Sequence, residues 1–168
     1  MSFSMYEASI PPMIRTLQNL SKILDKAVTQ AEAEKIDLAT LLDARLAPDM
    51  LPFPRQIQIA TDGAKGCAAR LAGLEPPAFP DTETTFPELQ QRIAKTIAYM
   101  QSVKPEQIGG SETRQITLKF PNRTLEFNGC EYLTGFVLPN FYFHVTTAYG
   151  LLRHKGIAIG KMDFLGGA

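Results

Sequence analysis

His144 is the side chain in this sequence whose type and setting most plainly suggest chemistry. It closes the run Pro139-Asn-Phe-Tyr-Phe-His144, a helical and largely aromatic segment in which a polar ring needs either a partner or a task. An imidazole titrates close to neutral pH, so the same ring can serve as base, ligand or core hydrogen-bonding group. Helical spacing places Asn140, Thr147, Ala148 and Leu151 near its face.

A second set lies upstream. Gln58, Asp62 and Lys65 recur four and three residues apart, so a helix would project them from one side, with Gln56 on a different face. Turned inward, Gln58 and Asp62 would meet His144 across the core and give an amide, a carboxylate and an imidazole in one cavity. Turned outward, Asp62 and Lys65 are a solvated ion pair of little worth. His154 is ten residues beyond His144, about 15 Å along a helix axis, so the two cannot share a metal. With Arg153 and Lys155 it suits a helix C-terminus, where positive charge is favoured. Arg45, Asp49 and Met50 flank a proline-rich link and read as an anchor for it. No P-loop, dinucleotide fingerprint, nucleophile elbow, HExxH or paired-cysteine motif occurs, which disfavours the motif-bearing enzyme classes.

Periodicity and capping define the helices and strands that carry these residues. The chain has 168 residues, 45% of them hydrophobic, enough for one domain spanning residues 1–168 with a core of its own. Seventeen basic and seventeen acidic side chains balance and are scattered, which speaks against a nucleic-acid or anionic-membrane partner. Cys67 and Cys130 match no metal or redox spacing and read as free thiols. No leader-like N-terminus and no run of about 18 apolar residues is visible, so a cytoplasmic protein is expected.

Apolar residues at Ile14, Leu17, Leu20, Ile23, Leu24, Ala27 and Val28 predict an amphipathic helix from 14 to 33, or from nearer Tyr6 if Pro11 and Pro12 kink it. Asp37 caps a short helix over 38–45, and a second long helix is expected from 55 to 71, with Gly73 as its stop. The proline-rich stretch 74–84 is long enough to cross the bundle. Thr85-Phe-Pro-Glu88 forms a capping box for a third long helix reaching 101. Alternation on both sides of Pro121-Asn122 predicts a β-hairpin within 114–128. Asn128-Gly129 opens a further helical stretch that Pro139 kinks or restarts, ending near His154. The tail 161–168 carries both charge and apolar groups, suiting it to dock on its own core or on a second subunit. The class is mainly α: a four-helix bundle with a long crossover and a small hairpin.

Several segments together resemble the DinB/YfiT-like superfamily and, within it, a family of uncharacterised bacterial domains of unknown function. They are Arg45-Leu-Ala-Pro-Asp-Met50, the helix from Gln58 to Leu71, Asp81-Thr-Glu-Thr84, Pro139 to His144, Thr147-Ala-Tyr149, Leu152-Arg-His154 and Gly160-Lys-Met-Asp-Phe-Leu-Gly166, covering nearly the whole chain. The resemblance implies a four-helix bundle, often dimeric, whose metal-binding members use one histidine from the second long helix and an HxxxH pair from the last. His144 matches the first of that pair, but Ala148 occupies the position four later and the second long helix offers Gln58 and Asp62 instead of histidine. Asp62 and His144 would then be the remaining ligands for a divalent metal, short of the usual three, so a bound metal is disfavoured.

Three functions are expected in turn. The first is small-molecule binding in a bundle cavity lined by Asn140, His144, Gln58 and Asp62. The second is catalysis by a DinB-like transferase or hydrolase, either metal-assisted or with His144 as general base and Asp62 orienting its ring. The third is a structural homodimer without a ligand. An Asp62–His144 hydrogen bond in an open cavity would favour the enzyme, whereas a ring sealed behind Phe141 and Tyr142 would sink it.

Overall fold

The computed structural model describes residues 4–167. Helix α1 (Met5–Glu34) starts well before Ile14, because Ser4 and Glu7 form a capping box: the Glu7 amide donates to Ser4 Oγ at 3.1 Å and the Ser4 amide to Glu7 Oε2 at 3.0 Å. Pro11 and Pro12 lie inside the helix. An interior proline costs about 3 kcal/mol. Burial of Ile10 and Met13 on either side of the pair, and of Leu17 a turn later, keeps the helix continuous through it.

Helix α2 (Leu38–Leu42) is capped by Asp37 but ends before Arg45, whose guanidinium instead reaches forward to the Met50 carbonyl and ties the link together. Helix α3 (Phe53–Leu71) begins two residues earlier than expected, with Pro54 in its first turn where the lost donor does not matter. It ends as the sequence predicts: Gly73 takes φ +74°, its amide donates to Arg70 O, and the Leu74 amide donates to Ala69 O at 2.8 Å. The crossover then leads to α4 (Phe86–Ser102), opened by the Thr85–Glu88 capping box, and to the single turn α5 (Pro105–Ile108).

Strands β1 (Ile116–Phe120) and β2 (Arg123–Phe127) pair antiparallel around the two-residue turn Pro121-Asn122. Ile116 and Leu118 turn inward, and Phe127 lies 5.7 Å from Phe136 and 6.1 Å from Tyr132 between ring centres, which fastens the hairpin to the bundle.

The last long rod is α6 (Gly129–Glu131), a π-helical stretch (Tyr132–Val137) and α7 (Leu138–His154) in unbroken succession. Pro139 stands in the first turn of α7, into which helical hydrogen bonding continues. Having no N–H, it leaves Gly135 O without the usual partner, and the widened turn next to it, with Leu138 N–H bonded five residues back to Leu133 O, absorbs the mismatch. The wide turn sets the phase of α7, so that Phe141, His144, Val145, Ala148, Leu151 and Leu152 all face the core.

Helices α1, α3, α4 and α7 form the bundle, and α3 packs against all three others. Helix α8 (Lys161–Leu165) docks on α1 of its own chain: Asn19 Nδ2 donates to Phe164 O at 3.0 Å, Lys26 pairs with Asp163, and the Phe164 ring meets Tyr149 edge-on at 5.9 Å. Gly166 makes this possible, because its φ is +90° and a Cβ there would lie 2.7 Å from the Asn19 amide. Gly166→Ala is expected to cost about 1–2 kcal/mol of local stability. The check is hydrogen exchange, which should speed up by about 5- to 30-fold at the Gly166 and Gly167 amides and stay unchanged in α3. Among the described residues no helix is long and apolar enough to cross a membrane.

Candidate functional site

His144 is 9% exposed, and its Nδ1 lies 2.8 Å from Gln56 Oε1. The partner is therefore Gln56, on the α3 face that helical spacing separates from the Gln58 and Asp62 side. Three groups in series fix the protons. The Leu51 carbonyl can only accept, so the Gln56 NH2 must face it, and it does at 2.8 Å. Gln56 Oε1 is left to face the ring, so Nδ1 carries the hydrogen and Nε2 holds the lone pair. Nε2 has no hydrogen-bond partner among the described residues and is not one of their sealed, unpaired atoms. Burial also lowers the His144 pKa below the usual histidine value, which keeps the ring neutral at pH 7.

The surroundings are apolar. The Phe143 ring stands edge-on to His144 at 5.1 Å, and both Phe143 and Leu51 leave large apolar side chains exposed. Asn140, one turn before His144, is half-buried where α7 passes Gly63 of α3, its Nδ2 3.8 Å from the position a Cβ on Gly63 would take. Ala148, one turn after, is fully buried.

Gln58 and Asp62 are not brought to His144. They face the crossover and α4, where Arg92 is the centre of a second polar cluster. Its side chain is 1% exposed; Nε donates to Thr61 Oγ1 at 2.8 Å, Nη1 to Pro80 O at 3.1 Å and Glu83 Oε1 at 3.0 Å, and Nη2 to Asp62 at 2.8 Å, with the Asp81 carboxylate 3.0 Å from Nη2 as a further ion-pair partner. Gln58 accepts from Arg55 at 2.7 Å and donates to Glu83 at 3.0 Å. Asp62 also pairs with Lys65, and Asp81 with Arg55. Lys65 and Lys95 lie against the Phe79 ring at 4.7 and 4.1 Å. Desolvation pushes the Glu83 carboxyl up, but hydrogen bonds from Arg92, its own backbone and Gln58, with the Arg92 charge, outweigh it and hold the pKa below the usual value. The cluster fastens residues 80–83 to α3 and α4.

The expected Asp62–His144 pair is therefore replaced by Gln56–His144, because one helix cannot turn Asp62 toward Arg92 on α4 and toward His144 on α7 at once. Sequence reasoning passed over Arg92, although it sits three residues after Leu89 and four before Thr96, a charged residue on a buried stripe. His154 lies exposed in the last turn of α7, Cys67 is buried and Cys130 exposed.

The metal that the resemblance implies does not fit these residues. His144 is the one imidazole facing the core, Gln56 offers an amide, Ala148 offers nothing, and Asp62 is held by Arg92 and Lys65. Among the described residues no three His, Cys, Asp or Glu side chains gather as a ligand set.

Comparison with known proteins agrees with the architecture. A crystal structure of a DinB family member protein from Shewanella denitrificans is 40% identical, superposes with a TM-score of 0.86, and covers 96% of this chain and 91% of its own. No curated protein matches the chain. A family model, Domain of unknown function (DUF1993), matches residues 5–165. With that match spanning α1 through α8 on a DinB-like bundle, the chain belongs to the DUF1993 family.

Proposed function

We propose that the protein binds a small molecule at His144, and that the ligand pairs a hydrogen-bond donor with an apolar body. The observation that carries this reading is the Leu51–Gln56–His144 series, which fixes the tautomer and leaves Nε2 as an acceptor on a ring that stands against the exposed Phe143. A neutral acceptor among apolar groups selects a neutral alcohol, phenol or amide over an anion. Asn140 adds a second polar group one turn away, whereas Gln58 and Asp62 serve the crossover instead.

Catalysis is the second reading, and the fixed tautomer is what favours it, since Nε2 could take a proton from a bound substrate. The partner weighs the other way. Gln56 orients the ring but, unlike a carboxylate, cannot stabilise the imidazolium that a base becomes. Binding is therefore the better supported of the two.

Nitrogen-15 NMR of histidine-labelled protein tests the proposal with 4-methylphenol as probe and toluene as control. The phenol should shift His144 Nε2 saturably, toluene should not, and His144→Ala should abolish binding. Gln56→Leu should mix the tautomers and cost about 1–3 kcal/mol of stability, because the Leu51 carbonyl and Nδ1–H lose their partner. Absence of any saturable shift from hydroxyl-bearing aromatic probes would refute the reading. The lowered His144 pKa adds a pH signature: its stabilising contribution is complete above the unfolded histidine value and is lost as pH falls through the folded one.

A further inference from the structure

We infer that the groove between the C-terminal end of α3, residues 73–76 and strand β1 binds a phosphate group carried on a small organic molecule. The groove has a volume of about 680 Å³ and is lined by three cations, Arg70, Arg114 and Lys119, against one carboxylate, Glu75. That leaves two net positive charges, which matches the charge of a phosphate monoester near neutral pH with opposite sign.

Elsewhere in the molecule the well-packed cations are neutralised. Lys65 and Arg92 are buried and Arg55 half-buried, and each holds a carboxylate. Arg70 and Arg114 are also half-buried, yet neither has a carboxylate within 4.0 Å among the described residues. Each is instead held by one hydrogen bond: Arg70 donates to the Tyr132 hydroxyl at 3.1 Å, and Arg114 to the Leu71 carbonyl. A guanidinium has five donors, so four on each remain for a ligand.

Two glycines make the beds on which these side chains lie. A Cβ on Gly66 would collide with the Arg70 guanidinium, and one on Gly73 would come 3.1 Å from Arg114 Nη1. Both forks thus pack closely against backbone that carries no side chain, and the planar fork suits phosphate oxygens.

Stabilising the end of α3 does not account for both arginines. Of its last four carbonyls, Ala68 accepts from Ala72, Ala69 from Leu74 and Arg70 from Gly73, so only Leu71 needs a side-chain donor. One N–H of Arg114 meets that need. The groove also exceeds what a bare phosphate would fill, and its size falls within the range of small-molecule sites.

Amide NMR and calorimetry with phenyl phosphate test the inference on the full chain. Saturable shifts are expected at Gly73 and at Arg114 to Thr117, with inorganic phosphate and benzoate each binding about tenfold more weakly or worse. Arg70→Gln should weaken phenyl phosphate by about tenfold, as expected for lost charged hydrogen bonds. Lys119 is exposed, so Lys119→Gln should weaken binding by about threefold and leave Tm unchanged, which separates a binding effect from misfolding. Non-saturating shifts spread over the basic surface would overturn the inference, as would undiminished affinity in both variants. Equal affinity for inorganic phosphate would overturn the claim that the groove holds an organic body.

Discussion

Arg92→Met is expected to destabilise the protein by about 3 kcal/mol, a fall in Tm of roughly 6–12 °C for a chain of this size. The substitution keeps much of the side-chain volume and removes only the charge and its donors. Asp62 and Asp81 would keep Lys65 and Arg55 but lose the cation they share with Glu83, and Thr61 Oγ1 and Pro80 O would lose a donor. Removing one partner of a buried pair costs about 3–5 kcal/mol when the other stays buried. The lower end applies here, because Asp62 and Asp81 are 40% and 35% exposed and can regain water. Urea unfolding with an unchanged m-value would measure the loss, and a change under about 1 kcal/mol would show that the cluster is merely a surface network.

Acid should reach the same cluster by another route. The folded-state pKa of Glu83 is depressed, so its contribution is present above the ordinary carboxylate value and is lost as pH falls through the folded one. In Arg92→Met the bonds and charge from Arg92 that cause the depression are gone. The variant should therefore show a flatter decline of stability with acid than the parent protein.

Gly129→Ala is expected to cost about 3 kcal/mol or more, at the upper end of what overpacking does. Gly129 opens the rod that carries His144, and a Cβ there would overlap the carbonyl oxygen of Ser111 and lie 2.9 Å from its carbonyl carbon. Both obstacles are backbone, so neither can swing aside. Helix propensity alone predicts the opposite sign, because alanine is favoured over glycine within a helix by about 1 kcal/mol. Thermal unfolding of this one variant therefore decides between local preference and tertiary contact. If Gly129→Ala is stabilising, the close approach of α6 to the 111–113 turn is wrong.

Three residues of the site differ in how far the sequence exposes them. His144 is visible because a single polar ring in an aromatic helix contrasts with everything around it. Gln56 is not, because a glutamine beside Gln58 and Arg55 looks like any solvated helix face until the helix is rotated into place. Arg92 leaves a readable trace, a charge within the stripe Leu89, Ile93 and Met100, but such a trace does not say which carboxylates will gather round it. Its partners Asp62, Asp81 and Glu83 come from α3 and from the crossover, 9 to 30 residues away along the chain.

Local rules settled most of the fold. Capping boxes at Thr85 and Asn128, the glycine stop at Gly73 and the alternation about Pro121-Asn122 act within a few residues, and through them the helices, the hairpin and the bundle class are written in the sequence. The early start of α1 is equally local, set by the Ser4–Glu7 capping box, whereas the passage through Pro11 and Pro12 was decided by burial of Ile10 and Met13, and that through Pro139 by the widened turn before it. Which face of α3 meets α7 was also a matter for tertiary packing. That choice depends on how four amphipathic helices rotate to bury their apolar stripes together. It put Gln56 against His144 and sent Asp62 to Arg92.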